Sequence, residues 1–316
     1  MSGIPLSEQV QIAAPDHVQR SAQQARQRRN MLSGLAFILP FLIIYAIFLV
    51  WPTLAGFRMS FFNWTLGGTG SSNFLGLANY QELFADGAFW QALGVTLLFT
   101  LISTPIFVLI ALGLALLVNR AIPARGVFRT IFFLPFVLPV SVVVLIWNWL
   151  YQPGFGLING ILEGIGLKDV PWLSDPTAAM VALIILTLWW TVGFNFVLFL
   201  AGMQQIPREL HDAARLDGAG GWERVRYITI PLLQRFTSLI IILQVIASLQ
   251  LFTQSYLLTN GGPNFATRSV VQYIYESSFT SFRMGYGSAM SYIFFIVILV
   301  VSLIQFTVLT RSERRA

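Results

Sequence analysis

The chain has 316 residues, of which 56% are hydrophobic and only 10% are charged, and its mean hydropathy is +0.72. Soluble domains carry roughly 25% charged residues, so this composition excludes a water-soluble enzyme and indicates a membrane protein. The formal charge is +6, and the absence of cysteine excludes disulfides, thiol nucleophiles and cysteine metal sites.

Apolar runs that are long enough to cross a bilayer recur six times along the chain. A helix needs ~20 apolar residues to cross about 30 Å of hydrocarbon. None of the six runs contains Asp, Glu, Lys, Arg or His. They predict transmembrane helices at about Leu32–Phe57, Phe89–Val118, Ile131–Leu150, Thr177–Gly202, Phe236–Leu258 and Tyr286–Thr310. Prolines inside several runs predict kinks, at Pro40, Pro105, Pro135 and Pro139.

The basic residues are distributed unequally between the two sides of this bundle. With the N-terminus inside, 15 of the 19 fall on inner segments, and only Arg58, Lys168, Arg268 and Arg283 fall on outer loops. The positive-inside rule then places both termini in the cytoplasm. This distribution explains the basic character of the chain without a nucleic-acid partner, and the basic flank of the first span is compatible with anionic lipid headgroups.

Several kinds of chemistry are missing from the sequence. A P-loop needs a glycine-flanked lysine followed by Ser or Thr, whereas the only lysine stands in Gly166-Leu167-Lys168-Asp169. The spans offer no ionisable side chain for a metal site, a nucleophilic dyad or a proton-coupled carrier. An intramembrane enzyme is therefore disfavoured. A secondary sugar transporter with a Na⁺ site of carbonyls and hydroxyls stays open, and any other uphill transport must be driven by another subunit.

The loop between the fourth and fifth predicted spans is the most informative stretch. Pro207 suits the first position of a helix, Gly218 ends that helix with a positive φ, and a second helical run begins at Trp222. The apolar residues of the first helix recur at i, i+4, i+7 and i+8, as Ile206, Leu210, Ala213 and Ala214. The pattern alone leaves two interpretations open: a helix that docks in another protein's groove, and an amphipathic helix that lies on the bilayer.

The same loop carries a motif that resembles the EAA loop of permease subunits of binding-protein-dependent ABC importers. The motif is Asp212-Ala213-Ala214, three residues, Gly218, nine residues, then Ile228-Thr229-Ile230-Pro231. Asp212 stands where Glu is usual and Ile230 where Leu is usual, and each keeps the chemical type. The resemblance implies a coupling helix that docks in a cleft of a cytoplasmic ATPase. The residues to which it assigns coupling are Glu209, Asp212, Ala213, Ala214, Gly218 and Pro231.

Further segments are similar to the carbohydrate branch of this family. They are Phe74–Tyr80 with Phe89-Trp90, Arg129–Pro135, Leu258–Pro263 and Met284–Ala289. Together they resemble the first permease of maltose and glycerol-phosphate systems. The resemblance implies an all-α polytopic membrane protein with six transmembrane helices and the ABC importer type-1 permease fold. The implied organisation is a cytoplasmic tail (1–30), a first transmembrane helix with its outer loop (31–88), the type-1 transmembrane domain (89–310, coupling loop about 204–231) and a second tail (311–316).

The resemblance also implies partners. These are a second homologous permease, two cytoplasmic ABC ATPase subunits and an extracytoplasmic solute-binding protein. The ATPases would bind ATP and Mg, so that this chain is a transport subunit without a cofactor or an ATPase site of its own, in the cytoplasmic membrane of a prokaryote. The solute is expected to be a sugar or a related compound, and glycerol-phosphate, polyols and oligosaccharides all stay open.

The fifth predicted span is the most polar and is the expected substrate path. Its polar residues are Gln244, Ser248, Gln250, Thr253 and Gln254. Gln250 and Gln254 are four apart and are expected to share a helical face, with Phe252 and Tyr256 nearby. Because an unpaired amide in hydrocarbon is unfavourable, these side chains either join helices or line a path where amides bind sugar hydroxyls and aromatic rings stack on the sugar. Asn195 in the fourth span is a further candidate.

Overall fold

The computed structural model is almost entirely helical over the residues that it describes, which are 31, 34–65, 73–119 and 125–313. Within these ranges no β-strand forms, and the only extended pairing is two isolated bridges, Phe62 with Phe74 and Thr65 with Arg283. The predicted tail at 1–30 lies outside the described residues. The helices are α1 Gly34–Met59, α2 Ala78–Ala85, α3 Gly87–Val118, α4 Arg125–Val137, α5 Val140–Leu150, α6 Leu157–Gly164, α7 Pro176–Gln204, α8 Arg208–Leu216, α9 Gly221–Leu232, α10 Gln234–Leu249, α11 Thr253–Thr259, α12 Val270–Tyr275 and α13 Met284–Glu313.

The chain forms two compact units, Met1–Arg58 and Met59–Ala316. The first unit contains nearly all of α1, an apolar helix of 26 residues that is long enough to cross a bilayer. A π-helical turn interrupts its regular winding at Ala46–Val50. Just after this turn, the Thr53 hydroxyl donates a hydrogen bond to the Leu49 carbonyl at 2.7 Å.

Four helices, α1, α3, α7 and α13, are long and apolar enough to cross a membrane unbroken. Two further spans are bent pairs, α4 with α5 at 97° and α9 with α10 at 66°, which makes six in the described residues when each pair is one span. The predicted all-α polytopic architecture is confirmed. The fifth predicted span, Phe236–Leu258, is wrong as a single helix, because α10 ends at Leu249 and α11 begins only at Thr253. The last helix continues to Glu313, past the predicted start of the C-terminal tail at 311.

Proline determines where the third span bends. Pro105 lies inside α3 and Pro135 inside α4, and neither interrupts its helix. Pro139 has an extended ψ of 134° and starts α5 in a new direction, since proline has no N–H to continue the helical ladder. The Leu138 carbonyl at the bend accepts a hydrogen bond from Trp190 Nε1 at 3.1 Å. A neighbouring helix thereby satisfies the backbone group that the bend exposes.

The core of the second unit consists of three clusters, all of which include α3. One joins α3 to α5, α7 and α11, another joins it to α7 and α10, and the third joins it to α10, α12 and α13. Small residues allow the closest approaches: a Cβ on Gly193 would lie 2.9 Å from the Phe133 Cα, and one on Gly202 would lie 2.7 Å from the Phe236 ring. Helix packing in membranes depends on such small residues, because they let backbones approach closely.

One carboxylate holds the outer ends of α3, α12 and α13 together. Asp86 caps α3 by accepting a hydrogen bond from the Ala88 N–H at 2.9 Å. Its other oxygen accepts from the hydroxyls of Tyr273 and Tyr286, each at 2.6 Å. Burial alone would raise the pKa of Asp86, but these hydrogen bonds outweigh it, and the pKa lies below its ordinary value.

Candidate functional site

A cavity of about 280 Å³ lies among α3, α4, α7, α10 and α11. Its polar lining residues are Thr187, Thr191, Asn195, Gln244, Ser248 and Gln254. Its aromatic lining residues are Phe99, Phe136, Trp190 and Phe194. None of the residues that line it is ionisable. Amides and hydroxyls that both donate and accept, set among aromatic rings, suit a neutral ligand with many hydroxyl groups.

A chain of hydrogen bonds forms one wall of this cavity. Asn195 Nδ2 donates to Gln244 Oε1 at 2.6 Å, and Gln244 Nε2 donates to Ser248 Oγ at 3.0 Å. The Ser248 hydroxyl in turn lies 3.3 Å from that of Ser103. Asn195 is only 2% exposed and Gln244 only 7%. These amides therefore join α7 to α10, as expected for polar side chains that hold membrane helices together.

The two glutamines that were expected to act together lie on opposite sides of a break in the helix. α10 ends at Leu249, Phe252 adopts φ −145° and ψ −71°, and α11 begins at Thr253. The prediction that Gln250 and Gln254 share a helical face is wrong, because the i, i+4 relation holds only within an unbroken helix. Gln254 lines the cavity, and no described residue hydrogen-bonds its amide, whereas Gln250 is exposed and lies outside the cavity.

The aromatic candidates of this segment stack away from the cavity. Phe252 and Tyr256 are parallel, with their ring centroids 5.5 Å apart. Both contact Tyr275, at 5.3 and 5.4 Å, and Tyr275 contacts Phe279 at 5.4 Å. We call these four rings the aromatic ribbon. None of the four is among the residues that line the cavity.

Of the five residues that the sequence predicts for the substrate path, only Asn195 and Gln254 line the cavity. Most of the other lining residues are not predicted from the sequence. Thr187 and Thr191 precede Asn195 by eight and four residues, so the period of a helix could have identified this polar face of α7. Phe136 has no such signal, because nothing in the sequence shows that α4 packs on α7.

The predicted coupling segment folds as a helix, a glycine turn and a second helix. Pro207, with ψ 134°, is the residue before α8 and not its first helical residue. Gly218 has φ +84°, which confirms the predicted left-handed conformation. α9 begins at Gly221, and the N–H of Gly220 donates to the Glu223 carboxylate at 2.6 Å. That hydrogen bond satisfies a backbone group at the start of α9.

Most residues of α8 and of the glycine turn after it are exposed. No residue of α8 is buried, Leu216 is 90% exposed and Trp222 is 68% exposed. Two members of the predicted apolar face, Leu210 and Ala213, are exposed as well. The other two members, Ile206 and Ala214, are half-buried, and Ile206 packs against the core. Within the described residues, nothing covers the exposed part of this apolar surface, which is typical of a surface that contacts a partner or a membrane.

Residues 30–316 match the family described as "Binding-protein-dependent transport system inner membrane component". The chain belongs to this family. The trehalose/maltose transport system permease protein MalF of Thermococcus litoralis is 34% identical over 271 residues, which cover 86% of this chain and 91% of that protein. The sulfoquinovosyl glycerol transport system permease protein SmoG of Agrobacterium fabrum is 32% identical over 284 residues, covering 90% and 92%.

A solved structure supports the same assignment. A chain of the bacterial alginate ABC transporter, in complex with an alginate pentasaccharide-bound periplasmic protein, superposes with a TM-score of 0.80 at 25% identity, covering 92% of this chain and 97% of that chain. The predicted family, the type-1 permease fold and the multi-pass location in the inner membrane are confirmed. The chain is a permease subunit of an ABC importer.

Proposed function

We propose that this permease moves a sugar, or a related solute with several hydroxyl groups, and that the 280 Å³ cavity is part of its path. The observation that carries the proposal is the lining of the cavity, which combines amides, hydroxyls and aromatic rings without an ionisable group. Such groups exchange hydrogen bonds with sugar hydroxyls and pack against the sugar ring. The names of the relatives, which refer to trehalose, maltose and sulfoquinovosyl glycerol, support this solute class.

The path is completed by a second, homologous permease. Small-molecule sites usually have volumes of about 300–1,000 Å³. The cavity is slightly smaller, as expected if this chain contributes only one side of a path that two permeases share. Gln250, Phe252 and Tyr256 lie outside the cavity, and on this proposal they join the path at the junction between the two permeases. Phe252 and Tyr256 are half-buried in the single chain, and aromatic residues are enriched at the core of protein interfaces.

The energy comes from two cytoplasmic ATPase subunits that bind ATP and Mg, while this chain binds no cofactor. α8 docks on one of them through Glu209, Asp212, Ala213 and Ala214, and Gly218 and Pro231 set the geometry of the segment. The uncovered apolar surface of α8 supports this docking. A solute-binding protein delivers the solute on the outer side.

The experiment compares Gln254→Leu with Gln244→Leu in the reconstituted complex, using the solute that is released from the purified cognate binding protein. Gln254 has no described partner, so its replacement should abolish most uptake and leave the melting temperature unchanged. Gln244→Leu leaves the buried Asn195 amide without its acceptor and should lower the melting temperature, because an unsatisfied buried group costs about 1–3 kcal/mol. Exposed Gln81→Leu is the matched control.

Uptake and melting temperature together distinguish a residue that lines the substrate path from one that only packs helices together. Uptake is normalised to assembled complex, and melting is followed in detergent. If Gln254→Leu were destabilised but transported at the wild-type rate per complex, Gln254 would be a packing residue and the cavity would lose its assigned role.

A further inference from the structure

A second and larger cavity, of about 790 Å³, lies where α3, α4 and α7 reach the cytoplasmic side beside α8. We call it the basic cavity. Its polar lining residues are Asn119, Arg125, Arg129, Gln204, Arg208 and His211. No carboxylate lines it, and among the described residues none of its three arginines forms a salt bridge. The cavity therefore concentrates positive charge that the described part of the chain leaves without a counter-ion.

One face of α8 contributes to this charge. Arg208, His211 and Arg215 are spaced i, i+3 and i+7, which places them on the same side of a helix. Arg208 and His211 line the basic cavity, while His211 and Arg215 line an adjacent cavity of about 540 Å³ together with Arg224. The basic face of α8 therefore points toward the body of the permease and differs from the face that carries Leu216.

Arg129 has a buried polar atom without a partner. Its Nε is out of contact with solvent, and no described group accepts a hydrogen bond from it. A buried donor without an acceptor is unfavourable, because the desolvation penalty is not offset. An acceptor from outside the chain would remove that penalty, and a guanidinium fork matches the geometry of phosphate oxygens.

An apolar groove begins at the same arginine. This groove, of about 440 Å³, is lined by Arg129, Thr130, Phe133, Leu134, Val137 and Val197. From Arg129 to Val137 the helical rise is about 12 Å, so the groove follows α4 from the membrane surface into the hydrocarbon region. A soluble phosphate would need only the basic cavity. A lipid uses both features, because its headgroup is anionic and its chain is apolar.

We propose that the basic cavity and this groove together bind one anionic phospholipid of the inner leaflet. The phosphate lies at Arg125, Arg129 and Arg208, and an acyl chain lies in the groove between α4 and α7. The depth is appropriate, since the arginines of α4 precede its apolar run and so lie at headgroup level. Because Arg208 belongs to α8, the lipid connects the coupling segment to the third span.

The experiment measures phosphatidylglycerol retained by the assembled transporter after exchange into phosphatidylcholine, by native mass spectrometry. The double variant Arg125→Gln/Arg129→Gln is compared with Arg235→Gln, an exposed arginine on the same side that lines neither feature. We expect retention to fall about 5-fold for each cavity arginine replaced, which corresponds to the ~1 kcal/mol that one basic residue contributes near a membrane surface. The control should retain lipid as the wild type does.

A second variant tests the groove without changing the charge. Val197→Phe narrows the groove and should also reduce retention, while binding of inorganic phosphate to the complex stays weak. Equal retention by the wild type and the double arginine variant would overturn the proposal, and so would an equal loss in Arg235→Gln. If millimolar inorganic phosphate displaced the lipid while Val197→Phe retained it, the site would bind a soluble phosphate and the lipid assignment would be wrong.

Discussion

Two segments that connect helices on opposite sides of the membrane are built in contrasting ways. The outer segment, 255–276, runs from α11 into α12, and several of its polar side chains are buried, among them Ser255 and Gln272, which are hydrogen-bonded to each other. The inner segment, α8 with α9, has no buried residue in either α8 or the first turn of α9. The comparison separates a part of the permease whose buried side chains bind one another from a part that is exposed and that, on the proposed function, docks on an ATPase.

The outer segment is held by a continuous network. The Ser255 hydroxyl donates to Gln272 Oε1 at 2.8 Å, and Gln272 Nε2 donates to Glu276 Oε1 at 2.8 Å. Arg268 lies 3.6 Å from the Glu276 carboxylate and sits over the rings of Phe265 and Tyr273. Both Ser255 and Gln272 are completely buried. Such a network fixes a single conformation because every member depends on its neighbours.

In the inner segment the one ion pair within α8, Asp212 with Arg215 at 3.8 Å, is exposed to solvent. Exposed pairs contribute little to stability, so this ion pair does little to hold α8 in place. From this contrast we expect substitutions in the inner segment to alter transport without affecting folding. Substitutions in the outer segment should affect folding more than transport.

The largest expected effect is that of Gly218→Leu on uptake. A Cβ at Gly218 would meet no atom within 4 Å, so the change acts only through its φ of +84°. The left-handed conformation costs a residue with a Cβ roughly 1–2 kcal/mol, which is a factor of about 5–30 in the population of the docking geometry. We expect uptake per inserted permease to fall accordingly, with normal membrane insertion.

Gly221→Leu is the matched control for this prediction. Gly221 is equally open, because a Cβ there would also meet no atom within 4 Å, and its φ is not in the left-handed range. It should transport like the wild type. Normal uptake by Gly218→Leu would remove the inner segment from the coupling machinery and favour a helix that only lies on the bilayer.

The next effect is on stability, from Gln272→Leu in the outer segment. Ser255 keeps the Thr267 carbonyl and Glu276 keeps Arg268 as partners, but the two hydrogen bonds made by the Gln272 amide would be lost, at about 0.5–1.5 kcal/mol each. We expect a lower melting temperature of the detergent-solubilised protein, measured beside Gln81→Leu on the exposed surface of α2. An unchanged melting temperature together with lost uptake would reverse the contrast between the two segments.

A smaller effect concerns the loss of stability at acidic pH. Because the pKa of Asp86 is lowered in the folded protein, its stabilisation is present above its unfolded pKa of about 3.9 and is lost as the pH falls through the folded value. We expect Asp86→Asn to melt earlier at neutral pH and to lose less stability below about pH 4 than the wild type. If the melting temperatures of the two proteins changed in parallel across this pH range, Asp86 would not be a source of the acid sensitivity.

The smallest effect is expected from Asp212→Glu in α8. Asp212 is exposed, and the change keeps its charge, so stability should change by less than about 0.5 kcal/mol. Uptake should remain near that of the wild type, whereas Asp212→Lys, which reverses the charge, should impair it. Equal uptake by both variants would show that the charge at this position has no part in docking.

The six spans and the inner segment could be predicted because their signals are local. An apolar run of sufficient length and a glycine at a helix end depend on consecutive residues. The break after Leu249 has no such signal, since Gln250, Leu251 and Phe252 include neither glycine nor proline. The burial of Leu249 and Leu251, at 0% and 3% exposure, shows that packing sets the chain direction there.

The candidate site was harder to predict because its parts are distant in the sequence. Asn195 and Gln244 are 49 residues apart and meet only because α7 packs on α10. The basic cavity collects Arg125, Arg129 and Arg208 from two segments that are separated by the whole of α5, α6 and α7. The distribution of basic residues along the sequence places these arginines on the cytoplasmic side, but it does not show that they face one cavity.

The close fit at Gly193 has a mechanical consequence. A side chain there would overlap the Phe132 carbonyl oxygen of α4, so the backbones of α4 and α7 are in contact at this point. The helices therefore have no room to slide past each other, and we expect them to move as a rigid body. Since α8 follows α7 after only three residues, we expect a force on α8 to move α4 and α7 together and to tilt the wall of the 280 Å³ cavity that these two helices line.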